Sequence, residues 1–141
     1  MWKRRTLLLC VVAAFSIPTW SYEHDQRLYG IWRVRNYEVQ GVPHAITGLV
    51  VITDKYLLSN AIFQLEGAAE PQANANAGPY TLRNGNIVLL QEMQLHWRPG
   101  ENATQNFLHQ NVEEIIPYRF DGKNLVFSFP SGNRYVLERA R

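Results

Sequence analysis

Two glycine-containing dipeptides constrain the fold more than any other feature of the chain. Asn84-Gly85 and Asp121-Gly122 each lie between short segments in which apolar and polar residues alternate. A two-residue hairpin loop of the favoured hand needs positive φ at both central positions, which Asn-Gly and Asp-Gly supply at little cost. Each dipeptide therefore predicts a tight antiparallel hairpin. The surrounding chain reads the same way. Residues 28–40, L-Y-G-I-W-R-V-R-N-Y-E-V-Q, alternate and are rich in aromatic and β-branched side chains. Further strands are predicted over residues 49–53, 56–66, 79–83, 86–97, 105–120 (bent at Pro117), 124–129 and 134–139. Residues 41–48 contain two glycines and a proline, and residues 67–78 and 98–104 have little to bury. These three stretches are expected to be loops. Strands that follow one another through short turns, without helical periodicity, point to an all-β up-and-down barrel or a sandwich. Closure into a barrel removes the unpaired edges that make β-proteins aggregate.

The first residues read differently. Residues 1–5, M-W-K-R-R, are basic; residues 6–17 are apolar; Thr19 and Ser21 are small residues just before the chain turns polar at Tyr22. This pattern is expected of a secretory signal peptide, a helix cut after Ser21. An uncleaved anchor is the alternative, although the apolar run is short for a bilayer span. The expected plan is a signal peptide over 1–21, an N-terminal tail over 22–27 and a barrel over 28–141, in a periplasmic or secreted protein. The formal charge of +2 depends on the signal: without Lys3, Arg4 and Arg5, 11 basic side chains face 12 acidic ones, a balance of −1. The basic character thus gives no reason to expect nucleic acid or an acidic membrane as a partner. The single cysteine, Cys10, leaves with the signal. The exported chain must then stand on its core, without a disulfide.

Gly30 and Trp32 open the first barrel strand and Arg139 ends the last. In a closed barrel these strands are neighbours, so the Arg139 guanidinium can lie over the Trp32 indole, and Gly30 lets the backbone pass close beneath. The G-x-W with a terminal-strand arginine resembles the signature of the lipocalin and calycin superfamily. L-Y-G-I-W-R-V-R-N-Y-E also resembles the opening of small bacterial lipocalin-like domains. Gly48 before an apolar strand, G-x-Y at Gly78 to Tyr80, R-F at Arg119-Phe120 and L-E-R at Leu137 to Arg139 extend that likeness over residues 28–139. Larger lipocalins carry a helix and cysteines that these residues do not match. The resemblance implies an eight-stranded antiparallel barrel that holds a small hydrophobic molecule, with a lid after the first strand, where Pro43, His44 and Ile46 would gate the opening.

Alternation places candidate interior residues. With Trp32 inward, Val34, Asn36 and Glu38 face in. On the fifth strand Ile87, Leu89, Gln91, Met93 and Leu95 form the inner face. On the sixth it is Val112, Glu114, Ile116, Tyr118 and Phe120; Phe127 and Tyr135 follow on the seventh and eighth. An apolar interior with sparse polar groups suits a small-ligand site, and the candidate ligand-binding residues are Asn36, Glu38, Gln91, Met93, Glu114, Tyr118, Phe127 and Tyr135. The alternative is a barrel filled by these side chains. Glu38 and Glu114 have two readings: buried carboxylates able to act as general acids, or solvated ones if the register slips by a residue. His24, His44, His96 and His109 lack metal-ligand spacing, and no nucleophilic triad or phosphate loop is present. No cofactor is expected and no catalytic residue is assigned. Three functions are open: a carrier of a small apolar or amphipathic ligand, an isomerase or cyclase using an interior carboxylate, and an interaction module working through its loops.

Overall fold

The computed structural model describes residues 24–100, 107–108 and 111–141, and the expected signal over 1–21 lies outside them. After a 3-10 turn at Gln26–Leu28, the strands are β1 (Gly30–Val39), β2 (Val42–Ile52), β3 (Tyr56–Gln64), β4 (Gln72–Arg83), β5 (Asn86–Gln91), β6 (Met93–Trp97), β7 (Phe107–Leu108), β8 (Val112–Asp121), β9 (Asn124–Ser128) and β10 (Arg134–Arg139). β5 and β6 are two halves of one strand, both paired to β4, and β7 and β8 continue the next. β1 pairs with β10, which closes an eight-stranded antiparallel barrel.

Two stretches expected as loops are largely strand. The first hairpin turns on Gln40 and Gly41 alone, at φ 51° and 84°, so β2 begins at Val42. Pro43 is tolerated because β3 pairs with β2 only from Ala45 onward, leaving no ladder bond for Pro43 to break on that side. Gly48 is a packing residue: a Cβ there would stand 2.5 Å from the Asn60 carbonyl oxygen on β3. No lid is formed by residues 42–48. His44 instead accepts from the Glu66 N–H at 3.2 Å. β4 likewise starts at Gln72, inside the expected loop over 67–78. Gln72, Asn74 and Asn76 lie on the face shared with inward Phe63, Ala61 and Ser59, while Ala73, Ala75 and Ala77 face out. That alternation is polar-in and small-out, the reverse of an ordinary half-buried strand.

One end of the barrel is shut by the chain leading into it. Arg139 lies over the Trp32 indole at 4.4 Å from the ring centroid, as expected. Its Nη1 and Nη2 donate to the carbonyls of Tyr29 and Arg27 at 2.7 and 2.8 Å. Trp32 Nε1 donates to the Leu28 carbonyl at 2.7 Å, and Leu28 is wholly buried. Gly30 adopts φ 137°, and a Cβ there would meet Arg139 Nη1 at 2.5 Å. Tyr118, on the inner face of β8, donates its hydroxyl to Asp25 at 3.2 Å at this same end. The core runs upward from here through Trp32, Ile52, Ile87, Leu125 and Leu137.

Candidate functional site

Above that core the barrel contains a cavity of about 510 Å³. Its floor is apolar, from Val50, Leu57, Leu89 and Ile116. One wall is aromatic. Tyr37 and Tyr135 meet edge to face at 5.0 Å, Tyr135 meets Phe129 at 5.2 Å, and Phe129 meets Phe127 at 6.4 Å. Such edge-to-face pairs hold rings in fixed orientation. Asn133, in the turn before β10, donates to the Tyr37 hydroxyl at 3.2 Å and ties this wall to the rim. The opposite wall is made of amides, with Asn74 and Asn76 on β4, Gln91 on β5 and Gln94 on β6, joined by Ser59 on β3.

Glu114 stands on the amide side. Its cross-strand partner is Leu89, so it faces inward with that residue. Gln91, the one buried polar side chain of the core among the described residues, donates Nε2 to one carboxylate oxygen of Glu114. Burial pushes the Glu114 carboxyl above the ordinary carboxylate range, and the Gln91 hydrogen bond opposes that rise. Tyr135 is pushed up to about 12 by burial, opposed by the Asn74 side chain, with Tyr37 and Glu114 adding to the rise. Its hydroxyl stays protonated at neutral pH and can donate or accept. Burial also raises Tyr37.

No known family, curated protein or solved structure matches the chain. The site must therefore be read from its own residues.

Gln91, Glu114, Phe127 and Tyr135, all expected inside, line the cavity together. Four other candidates do not. The alternation that put Asn36 and Glu38 inward breaks at a bulge between Val34 and Asn36. A bulge adds one residue to one strand and reverses the faces beyond it. Tyr37 therefore turns in, while Asn36 donates to Glu38 at 2.9 Å and Glu38 pairs with Arg134 at 3.4 Å on the outer side. Met93 is displaced by the break at Glu92, between β5 and β6, where Gly78 lets the strands cross: a Cβ on Gly78 would overlap the Leu90 carbonyl oxygen. Past the break Met93 pairs with outward Ala77, and Gln94 pairs with inward Asn76. Tyr118 does face inward but belongs to the closed end.

Tyr37, Asn74, Asn76 and Gln94 were missed by alternation anchored on Trp32. The signal for the asparagines was the period-two run Q-A-N-A-N-A over residues 72–77, which carries no hydrophobicity and so looked like a loop. Asn76 Oδ1 is buried and has no hydrogen-bond partner. An orphaned buried acceptor costs about 1–3 kcal/mol, a cost the fold carries at this wall.

Proposed function

We propose that this barrel is an exported, lipocalin-like binding protein that holds one small amphipathic molecule. The observation that carries the reading is the cavity itself. At about 510 Å³ it falls in the size range of small-molecule sites, about 300–1,000 Å³. Its walls differ in kind: rings for an apolar body, amides and one carboxyl for a polar head. Side chains can fill an eight-stranded barrel completely, and here they fill only the end near Trp32. The closed barrel is compatible with a calycin-like fold, and the basic-then-apolar N-terminal run supports export to a periplasmic or extracellular space.

Native mass spectrometry of the protein from its own host tests this. The expected result is a species heavier than the polypeptide by one small molecule, which denaturation releases. Protein that carries nothing, and takes up nothing from a panel of small amphiphiles, would overturn the reading.

A second reading, an isomerase or cyclase, keeps one supporting observation: Glu114 is a buried carboxyl with a raised pKa facing an open cavity. Glu38 no longer belongs to it, because it points outward. Under this reading Glu114→Gln abolishes turnover of the captured molecule; under the binding reading nothing turns over.

A further inference from the structure

We propose, on the reading that the barrel holds a ligand, that the ligand is a small primary amine with an aromatic or short aliphatic body, its ammonium held by the Glu114 carboxylate. Three observations lead there.

The first is charge. Among the described residues lining the cavity, the ionisable side chains are Glu113, Glu114, Tyr37 and Tyr135; none is Lys, Arg or His. A carboxylate-bearing amphiphile would enter a low-dielectric space with no cation to meet and with Glu114 to repel it. A positively charged head meets its counter-charge. The groups around Glu114 leave that role to it. Tyr135 and Tyr37 face it from β10 and β1 as neutral phenols, and Gln91 faces it from β5. Glu113, next in the chain, is engaged by Arg83 at 3.1 Å. Arg98 Nε donates to Nε2 of His96, on β6, at 2.9 Å. Neither Arg83, Arg98 nor His96 lines the cavity.

The second observation is the balance of donors and acceptors. Gln91 is the one side chain that donates to Glu114 among the described residues, and it reaches a single oxygen. The other carboxylate oxygen is available to a donor. An open carboxylate oxygen calls for a donor, and an ammonium brings several N–H bonds, a counter-charge and no lone pair of its own. An alcohol brings one donor, a carboxylate none. The third observation is the aromatic wall of Tyr37, Phe127, Phe129 and Tyr135, which gives a ring or short chain an apolar bed and offers ring faces that attract a cation.

The test is isothermal titration of the protein with three probes that share one body: 4-phenylbutylamine, 4-phenylbutanol and 4-phenylbutanoate at neutral pH. The expected order of affinity is amine, then alcohol, then acid, with the amine about tenfold or more above the alcohol, the size of one charge-assisted hydrogen bond. Glu114→Gln should lower amine affinity about tenfold, one such bond's worth, and lower alcohol affinity by clearly less. Amine affinity of the unaltered protein should fall as pH drops through the Glu114 titration, a dependence that Glu114→Gln abolishes. Should the variant fail to fold, the probe order and the pH dependence of the unaltered protein decide alone. An acid that binds as well as the amine, or an amine no better than the alcohol, overturns the amine assignment while leaving the cavity a binding site. If all three probes and neutral amphiphiles of other shapes fail to bind, the binding reading itself falls.

Discussion

Replacing Arg139 with alanine removes three interactions at once from the closed end of the barrel. The guanidinium donates to the Tyr29 carbonyl at 2.7 Å and to the Arg27 carbonyl at 2.8 Å, and it covers the Trp32 ring at 4.4 Å. Arg139 is exposed as a residue, so solvent brings its hydrogen bonds down to the ordinary net value and its contact with the indole to the low end. Two hydrogen bonds from a charged donor at about 1 kcal/mol each, with about 0.5 kcal/mol for the cation over the indole, give a loss of about 2.5 kcal/mol. For a domain of this size that lowers Tm by about 10 °C. Arg139→Lys keeps a cation near Trp32 but cannot fork to two carbonyls, so it should lose about 1.5 kcal/mol. Gly30→Ala adds a second handle, because its Cβ would strike Arg139 Nη1 at 2.5 Å. In the Arg139→Ala background that clash is gone and only the strain of φ 137° remains. The two substitutions should therefore cost less together than the sum of their separate losses. Urea unfolding followed by tryptophan fluorescence measures all four proteins. An Arg139→Ala loss below about 0.5 kcal/mol, the level of an ordinary surface change, or strict additivity with Gly30→Ala, would refute this view of the clasp.

Leu28→Ala, at the wholly buried plug beneath Trp32, should cost about 2–4 kcal/mol in urea unfolding, against little change if the turn at Gln26–Leu28 is merely adjacent. Ser59→Phe should fill the cavity and abolish uptake of small amphiphiles, with circular dichroism and Tm showing the barrel intact; retained uptake would place the ligand elsewhere. Glu114 has a raised pKa in the folded barrel. Its charged form is therefore the disfavoured one: its contribution to stability is most favourable below the unfolded carboxyl's pKa and declines as pH rises through the folded value. Glu114→Gln lacks this decline, so its stability relative to the unaltered protein should increase from acidic to neutral pH; a pH-independent difference would contradict the burial of Glu114.

What the sequence carried openly was whatever side-chain chemistry enforces. Asn84-Gly85 and Asp121-Gly122 demanded hairpins, and both hairpins form, the second with its turn one residue later, on Gly122 and Lys123, because Asp121 still pairs with Asn124. Trp32 and Arg139 demanded closure, and Ile87, Leu89, Gln91, Glu114 and Ile116 kept the expected face because no irregularity interrupts β5 against the first half of β8. What stayed hidden was set by the backbone. The bulge after Val34 falls in R-V-R-N-Y, where no glycine or proline marks it, and it exchanged Asn36 and Glu38 for Tyr37. The break at Glu92 exchanged Met93 for Gln94 in the same way. The bulge lies where β1 passes from the filled end to the cavity, and the break lies between two residues of the cavity wall, Gln91 and Gln94. The asparagines of β4 were hidden for another reason: hydrophobic periodicity finds strands that bury apolar faces, and this strand turns amides to the interior. The residues that eluded the pattern thus add polar groups to a cavity in which Gln91 and Glu114 were already legible.

Side-chain amide signals offer the most direct view of the central claim, that the space between the aromatic and amide walls receives a small molecule. In a two-dimensional ¹H–¹⁵N correlation spectrum titrated with the tightest-binding phenylbutyl probe, the NH₂ pairs of Asn74, Asn76, Gln91 and Gln94 should move together and saturate, while those of Asn60 and Gln64 on the outer face stay fixed. Movement confined to the outer amides, or no movement at all, would contradict it.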